Sequence, residues 1–385
     1  MTRPTGYSLT AYGDMITDTP RMDAYARALE AAVHPGATVL DIGAGTGIFS
    51  LLACRYGAAR VHAIEPDDAI EVARTLAAAN TYSDRITFHP TLSTQVQLDT
   101  KADVIVSDLR GVLPLFQHHV HAIVDARTRL LAPGGVLVPR RDTLWAALVS
   151  DVDTHKRYQE PWLHNRFEFD LTAAFPLVAN TWRKVNAKPE QLVVPPQRWA
   201  TLDYATITSP DVAGEVTWTN ERAETAHGLL LWFDAELADG IGFSNAPGEP
   251  SLIYGQGYFP LQTPLSLEPG DTVTIALRAD LVGDDYTWRW STRVTGADGA
   301  PKARLVQSTF LASPLGPKQL IKREAGYQPT LDEDGEVDRF VLSLMDGDTA
   351  LGTIAERSLA AFPRRFASVA EALAYVGTLS AKYAR

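Results

Sequence analysis

Val39-Leu40-Asp41-Ile42-Gly43-Ala44-Gly45-Thr46-Gly47-Ile48 is the stretch on which the fold turns. An apolar run closes on an acid, three glycines follow at alternate positions, and helix formers resume at Phe49-Ser50-Leu51-Leu52-Ala53-Cys54. A strand that enters a glycine turn and then a helix leaves free N–H groups at the helix start and lets a ligand approach the main chain. Dinucleotide enzymes also place glycines after a strand, but at G-x-G-x-x-G spacing. Here the glycines recur every second residue, with an acid two positions before the first.

Outward from that turn, β-branched runs alternate with helical stretches as far as Pro139. Thr38–Asp41, Val61–Glu65, Ile86–Phe88 and Val104–Asp108 read as strands, and Phe49–Tyr56 and Ala69–Asn80 as helices. Such alternation specifies a parallel sheet with crossover helices. Ala132-Pro133-Gly134-Gly135 reads as a turn feeding a last strand, Val136–Pro139.

The strand ends carry the chemistry. Glu65 closes the second strand, where a carboxylate can accept both hydroxyls of a ribose. Asp41 and Glu65 at adjacent strand ends, flanking a glycine turn, are the arrangement that adenosylmethionine-dependent enzymes use, so S-adenosyl-L-methionine is the expected cofactor. Ser107-Asp108 ends the fourth strand on the same edge, which puts acceptor chemistry beside Asp108; the alternative is a helix cap. His118, His119 and His121 follow closely. His118 and His121 would share a helix face at i,i+3, where one could accept a proton near neutral pH; the alternative is that they cover an exposed helix.

Composition excludes several classes. With 385 residues, 45% hydrophobic and 21% charged, the chain has the make-up of an ordinary globular protein large enough for two or three compact units. Its net charge of −11 argues against a nucleic-acid surface, which needs clustered Lys and Arg. The single cysteine, Cys54, cannot form an internal disulfide, and no carboxylate or cysteine set suggests a metal site. The N-terminal residues lack a signal-peptide run and no stretch is long and apolar enough to span a membrane, so a cytoplasmic enzyme with no membrane partner is expected.

Beyond residue 145 the pattern changes to alternating segments, such as Leu229–Phe233, Thr272–Leu277 and Tyr286–Trp290, separated by Pro and Gly turns. These predict an antiparallel β-barrel or sandwich over 146–315, interrupted by a polar and aromatic insertion at about 154–186. Over 325–385, Val337–Met345, Ala350–Ala361 and Ala367–Tyr383 have helical periodicity and predict a small winged-helix-like module. The expected class is therefore α/β: a Rossmann-like seven-stranded domain over 1–145, then the β-domain, then the helical module.

Taken with their flanks, these features resemble the protein arginine methyltransferases from about Tyr7 to Leu311. That resemblance implies N-terminal helices closing over the cofactor, with Tyr12, Met15 and Arg21 in the site and Arg21 paired to the methionyl carboxylate. It further implies that Asp41, Gly43, Gly45 and Thr46 form the cofactor loop, Glu65 the ribose ligand and Ser93-Thr94 the adenine side. His227-Gly228 with Trp232-Phe233-Asp234 resembles the barrel domain. The insertion with Trp162, Asn165, Phe167 and Phe169 resembles a dimerisation arm, which implies a homodimer.

The resemblance breaks at the acceptor. Two glutamates that hold the substrate guanidinium in the family fall on Asp108 and Gln117, and Arg110 stands between them. The barrel loop carrying Thr-His-Trp reads Leu252-Ile253-Tyr254. Loss of one of two carboxylates facing a cation is heavily penalised. The expectation is thus methyl transfer to a non-guanidinium nitrogen or oxygen of a peptide or natural product, with Asp108, Gln117, His118 and His121 as catalytic residues. One alternative is arginine methylation with Asp125 or Glu249 completing the clamp; another is a catalytically silent binding protein.

Overall fold

A computed structural model describes residues 7–314 and 316–384. The chain divides into two compact units, Met1–Pro314 and Leu315–Arg385.

The first unit opens with α1 (Leu9–Thr17) and α2 (Thr19–Ala32). Helix α2 buries Arg21, Ala24, Tyr25, Ala28 and Leu29, the i, i+3, i+4, i+7, i+8 stripe of a helix seated on a core. The α/β part follows as β1 (Thr38–Ile42), α3 (Ile48–Arg55), β2 (Arg60–Ile64), α4 (Ala69–Ala79), β3 (Ile86–His89), β4 (Ala102–Ser107), α5 (His119–Arg129) and β5 (Leu131–Val138). The five strands are parallel in the order β3-β2-β1-β4-β5, so the direction of winding reverses between β1 and β4. Ligands of open α/β sheets bind at that reversal, beyond the carboxyl ends of the strands. Ile42 of β1 is paired with Ile64 of β2 and with Ser107 of β4, and this register brings Gly43, Glu65 and Asp108 out side by side on one edge.

Two expectations are corrected. The sheet has five strands rather than seven, because after β5 the chain leaves it at once for the antiparallel part. Pro133-Gly134-Gly135 is not a separate turn: it lies within β5, where a register shift against β4 and the positive φ of Gly134 absorb the irregularity.

The antiparallel part begins at Arg141. Its strands are β6 (Arg141–Val149), β7 (Arg183–Val185), β8 (Gln197–Asp203), β9 (Val212–Thr219), β10 (Glu224–Ala238), β11 (Ile241–Ser244), β12 (Gln256–Leu267), β13 (Thr272–Val282), β14 (Asp285–Thr295) and β15 (Pro301–Ser308). One sheet runs β7-β12-β10-β6-β8 with β11 paired to β10, and the other β15-β14-β13-β9. Strand β14 alternates exposed and buried residues and buries Trp288 and Trp290, the period-2 signature read from the sequence. A single hydrophobic core runs from Tyr25 and Phe49 through the parallel sheet to Phe233, Phe259 and Trp290. Between β6 and β7 the insertion forms α6 (Val152–Tyr158), α7 (Glu160–Leu163) and α8 (Phe175–Ala179).

The second unit holds α9 (Pro317–Ile321), α10 (Glu333–Ser343), α11 (Leu351–Ala361) and α12 (Val369–Tyr383). Val337, Val341, Ile354, Phe366 and Val376 form its own core. Asp332 and Ser368 cap α10 and α12 by accepting N–H bonds from Gly335 and Glu371. Among the described residues of this unit none is in a strand, so the helices expected there are present and the wing is not.

Candidate active site

A cavity of about 640 Å³ opens on the carboxyl edge of the parallel sheet. Its first half is built from backbone. Gly43, Gly45 and Gly47 have φ of 73°, 53° and 81°, conformations that L side chains rarely adopt. A Cβ on Gly45 would stand 2.5 Å from the Tyr12 ring, so α1 lies against the bare loop. Glu65 is pinned by two main-chain bonds: Oε2 accepts from Gly45 N–H at 3.0 Å and Oε1 from Asp67 N–H at 2.9 Å. Burial raises its pKa and these bonds pull it back.

Tyr12, Met15, Arg21, Gly43, Gly45, Thr46, Glu65 and Ser93 all line this cavity. Asp41 and Thr94 do not. Thr94 is exposed, whereas Asp41 is fully buried beneath the loop, where its Oδ2 accepts from the Ser50 hydroxyl at 2.7 Å and its Oδ1 has no partner. Burial pushes the Asp41 pKa up to about 7. Its place is behind the glycine turn, fixing β1 to α3.

Side chains build the second half. Asp108 has only 4% of its side chain exposed. Its Oδ2 accepts from Arg21 Nε at 2.6 Å and from the Tyr254 hydroxyl at 2.6 Å, and its Oδ1 accepts from Arg110 Nη1 at 3.0 Å. Burial alone would raise its pKa, but Arg21 and Arg110 outweigh that and hold it below the ordinary value. Arg110 is also fully buried and bidentate on Asp142, with both bonds 2.8 Å, while the rings of Phe233 and Phe243 flank its guanidinium. Tyr204 donates to Asp142 at 2.6 Å and meets His119 Nε2 at 2.9 Å.

Gln117 and His118 line the cavity, both exposed; Gln117 has a φ of 42° and His118 pairs with exposed Asp284 at 3.0 Å. His121 is exposed and does not line it. Helix α5 starts at His119 and packs Val120, Ile123 and Ala126 inward, which leaves His121 toward solvent. Asp125 is paired with Arg129, Glu249 lies in a different cavity, and neither approaches Asp108 as a second clamp.

Asp142, Tyr204, Tyr25 and His119 carry the acceptor half without having been assigned a role from sequence. Two signals are present in the sequence: Asp142, a carboxylate at an inward position of a strand that is otherwise apolar there, and His119, which belongs to the histidine group following Asp108. The glycine cradle, pinned Glu65 and buried Arg21 fit adenosylmethionine: a loop where a Cβ would collide, a carboxylate for a diol and a cation for a carboxylate.

A family model described as Ribosomal protein L11 methyltransferase (PrmA) matches residues 23–164, and one described as Arginine methyltransferase oligomerization subdomain matches residues 140–292. The chain is 33% identical over 297 residues to an arginine N(omega)-methyltransferase of Streptomyces achromogenes subsp. streptozoticus, covering 72% of this chain and 77% of the relative. It is 28% identical over 269 residues to protein arginine N-methyltransferase 1 of Oryza sativa subsp. indica, covering 68% of this chain and 69% of the relative. Among solved structures it is similar to the Trypanosoma brucei PRMT1 enzyme-prozyme complex with AdoHcy (TM-score 0.70, 20% identity, 78% of this chain and 98% of that one). Arabidopsis thaliana protein arginine methyltransferase 10 is similar at a TM-score of 0.68 and 23% identity, over 78% of this chain and 97% of that one.

Proposed function

The chain belongs to the arginine N-methyltransferase family of S-adenosylmethionine-dependent enzymes, and from that premise we propose that it methylates a guanidino nitrogen of arginine, free or within a peptide. The observation that carries this reading is Asp108, an ionised carboxylate held at the acceptor end of the cavity. When bound, S-adenosylmethionine supplies an electrophilic methyl group on a positively charged sulfur. Gly43, Gly45 and Glu65 would hold its backbone-facing and ribose parts, and Arg21 would turn its guanidinium from Asp108 to the methionyl carboxylate. Asp108 Oδ2 then accepts a guanidinium N–H and aims that nitrogen. Asp108 would take up the N–H proton that the acceptor nitrogen gives up on gaining a methyl group, and pass it to solvent.

Arg110 does not oppose a cationic substrate in the way its sequence position suggests. Its charge is matched at 2.8 Å by Asp142, so the two buried arginines and two buried aspartates cancel. Gln117, the neutral residue where a second carboxylate is expected, favours the other reading, a non-guanidinium nitrogen or oxygen acceptor. Labelled cofactor offered with L-arginine, an arginine-glycine-rich peptide and matched peptides bearing amines, imidazoles and hydroxyls separates the two. Methylarginine that disappears in Asp108→Asn supports the first; label on another group without methylarginine overturns it.

The insertion exposes Trp162, Phe167, Phe169 and Leu171, and a second copy of the chain is the partner such a surface fits in this family. Sedimentation should give a dimer for the wild type and a monomer for a Phe167→Asp/Phe169→Asp variant. No helix among the described residues is long and apolar enough to cross a membrane.

A further inference from the structure

His119 is a buried polar side chain in the acceptor half that the chemistry above leaves unused. It is 2% exposed, lines the same cavity as Asp108, and its Nδ1 has no hydrogen-bond partner.

Its proton can be placed by following donors along the chain of contacts. Asp142 accepts two N–H bonds from Arg110, so it is an ionised carboxylate that can only accept. Tyr204 has a single hydroxyl proton, and at 2.6 Å from Asp142 Oδ2 that proton is committed to the carboxylate. The phenol oxygen therefore meets His119 Nε2, at 2.9 Å, as an acceptor. The imidazole proton sits on Nε2, and Nδ1 is left as a bare lone pair.

We propose that His119 is a substrate-binding residue, and that its Nδ1 accepts an N–H of the methyl acceptor within the cavity that Asp108 shares. The proposal rests on the guanidino reading and deepens it. A guanidinium carries five N–H donors in one plane, and one carboxylate in a fork, as Asp142 on Arg110, takes two of them and leaves the others to be met elsewhere. With Gln117 exposed at the rim and Ile253 where the family carries a histidine, Nδ1 is a buried neutral acceptor of the cavity lining that has no partner of its own. Burial and the nearby Arg110 charge hold the imidazole pKa down to about 3, so the ring stays neutral and acts as a hydrogen-bond acceptor rather than a base. The Asp142-Tyr204 pair acts behind it as a positioning device that fixes the tautomer.

The test uses the full-length protein with nitrogen-15-labelled histidine, loaded with S-adenosylhomocysteine. The expected spectrum has His119 Nδ1 unprotonated and moving upfield as L-arginine is added. A protonated Nδ1 overturns the proposal, and so does an Nδ1 signal that stays fixed at saturating arginine. Two variants give the kinetic counterpart. His119→Gln keeps a donor toward Tyr204 and removes the Nδ1 acceptor, whereas His119→Asn keeps an acceptor near Nδ1. With cofactor affinity unchanged by calorimetry, His119→Gln should raise the acceptor KM by about tenfold or more, the effect of one lost hydrogen bond in a buried site, and His119→Asn by less. Wild-type KM and kcat in His119→Gln would overturn the assignment. Failure of the guanidino reading has a separate signature: no methylarginine from the wild type, whatever Nδ1 does.

Discussion

The two halves of the cavity are made differently. The cofactor half is backbone: three glycines in positive-φ conformations and a glutamate tied to main-chain N–H groups within a short span of sequence. The acceptor half is side chains drawn from far apart, Arg21 to Asp108 across 87 positions, Tyr254 to Asp108 across 146 and Arg110 to Asp142 across 32. Backbone recognition fixes which cofactor is held and tolerates little variation. A charge network can be rewritten one pair at a time as long as every buried charge keeps a partner.

The contrast can be broken at several points, beginning with the largest effect. Asp142→Ala should destabilise the protein by about 3–5 kcal/mol, because it leaves the Arg110 cation buried without its bidentate partner. Urea denaturation measures this, and Arg110→Met in the same chain should restore most of the loss; equal stability of the single variant would mean that the pair is not the organising contact. Asp108→Asn should lower methyl transfer by about a hundredfold or more while cofactor titration still saturates, which would place the two halves under separate control.

The halves should also respond to acid with opposite signs. His119 has a folded pKa far below its ordinary 6.5, so its contribution to stability is present above that value and is lost as pH falls toward about 3. Asp41 is raised from 3.8 to about 7, so its contribution is present below 3.8 and is lost as pH rises through 7. Between pH 7 and 5 the wild type loses from one what it gains from the other. Relative to wild type over that window, denaturation curves of His119→Gln should gain about 2 kcal/mol and those of Asp41→Asn should lose about as much. Parallel curves for all three proteins would remove both assignments. The smallest effect is Gly45→Ala, which forces a Cβ into the left-handed region and toward Tyr12; cofactor affinity should fall about tenfold with acceptor KM unchanged.

How much of the site could be read in advance follows the same division. Tyr12, Met15, Arg21, Gly43, Gly45, Thr46, Glu65 and Ser93 converge on the cavity from positions that the spacing and the family resemblance had marked. The acceptor side shows what spacing misses. Helical spacing pairs His118 with His121, yet His118 lines the cavity and His121 does not, and the buried histidine of the group is His119, at the start of the stripe that α5 packs inward. Arg110 reads in sequence as a charge opposed to a guanidinium, and only its pairing with Asp142 removes the conflict.

By itself the sequence determined the parallel sheet, the edge on which ligands bind and the cofactor that binds there, because strand, turn and helix are consecutive in the chain and period and glycine placement are local properties. Tertiary structure decided that the sheet stops at five strands, that Asp41 supports the loop from beneath, and which charges and protons the acceptor meets. Those outcomes depend on burial and on distances between side chains that the fold brings together from positions far apart, and neither quantity is written in the spacing of residues.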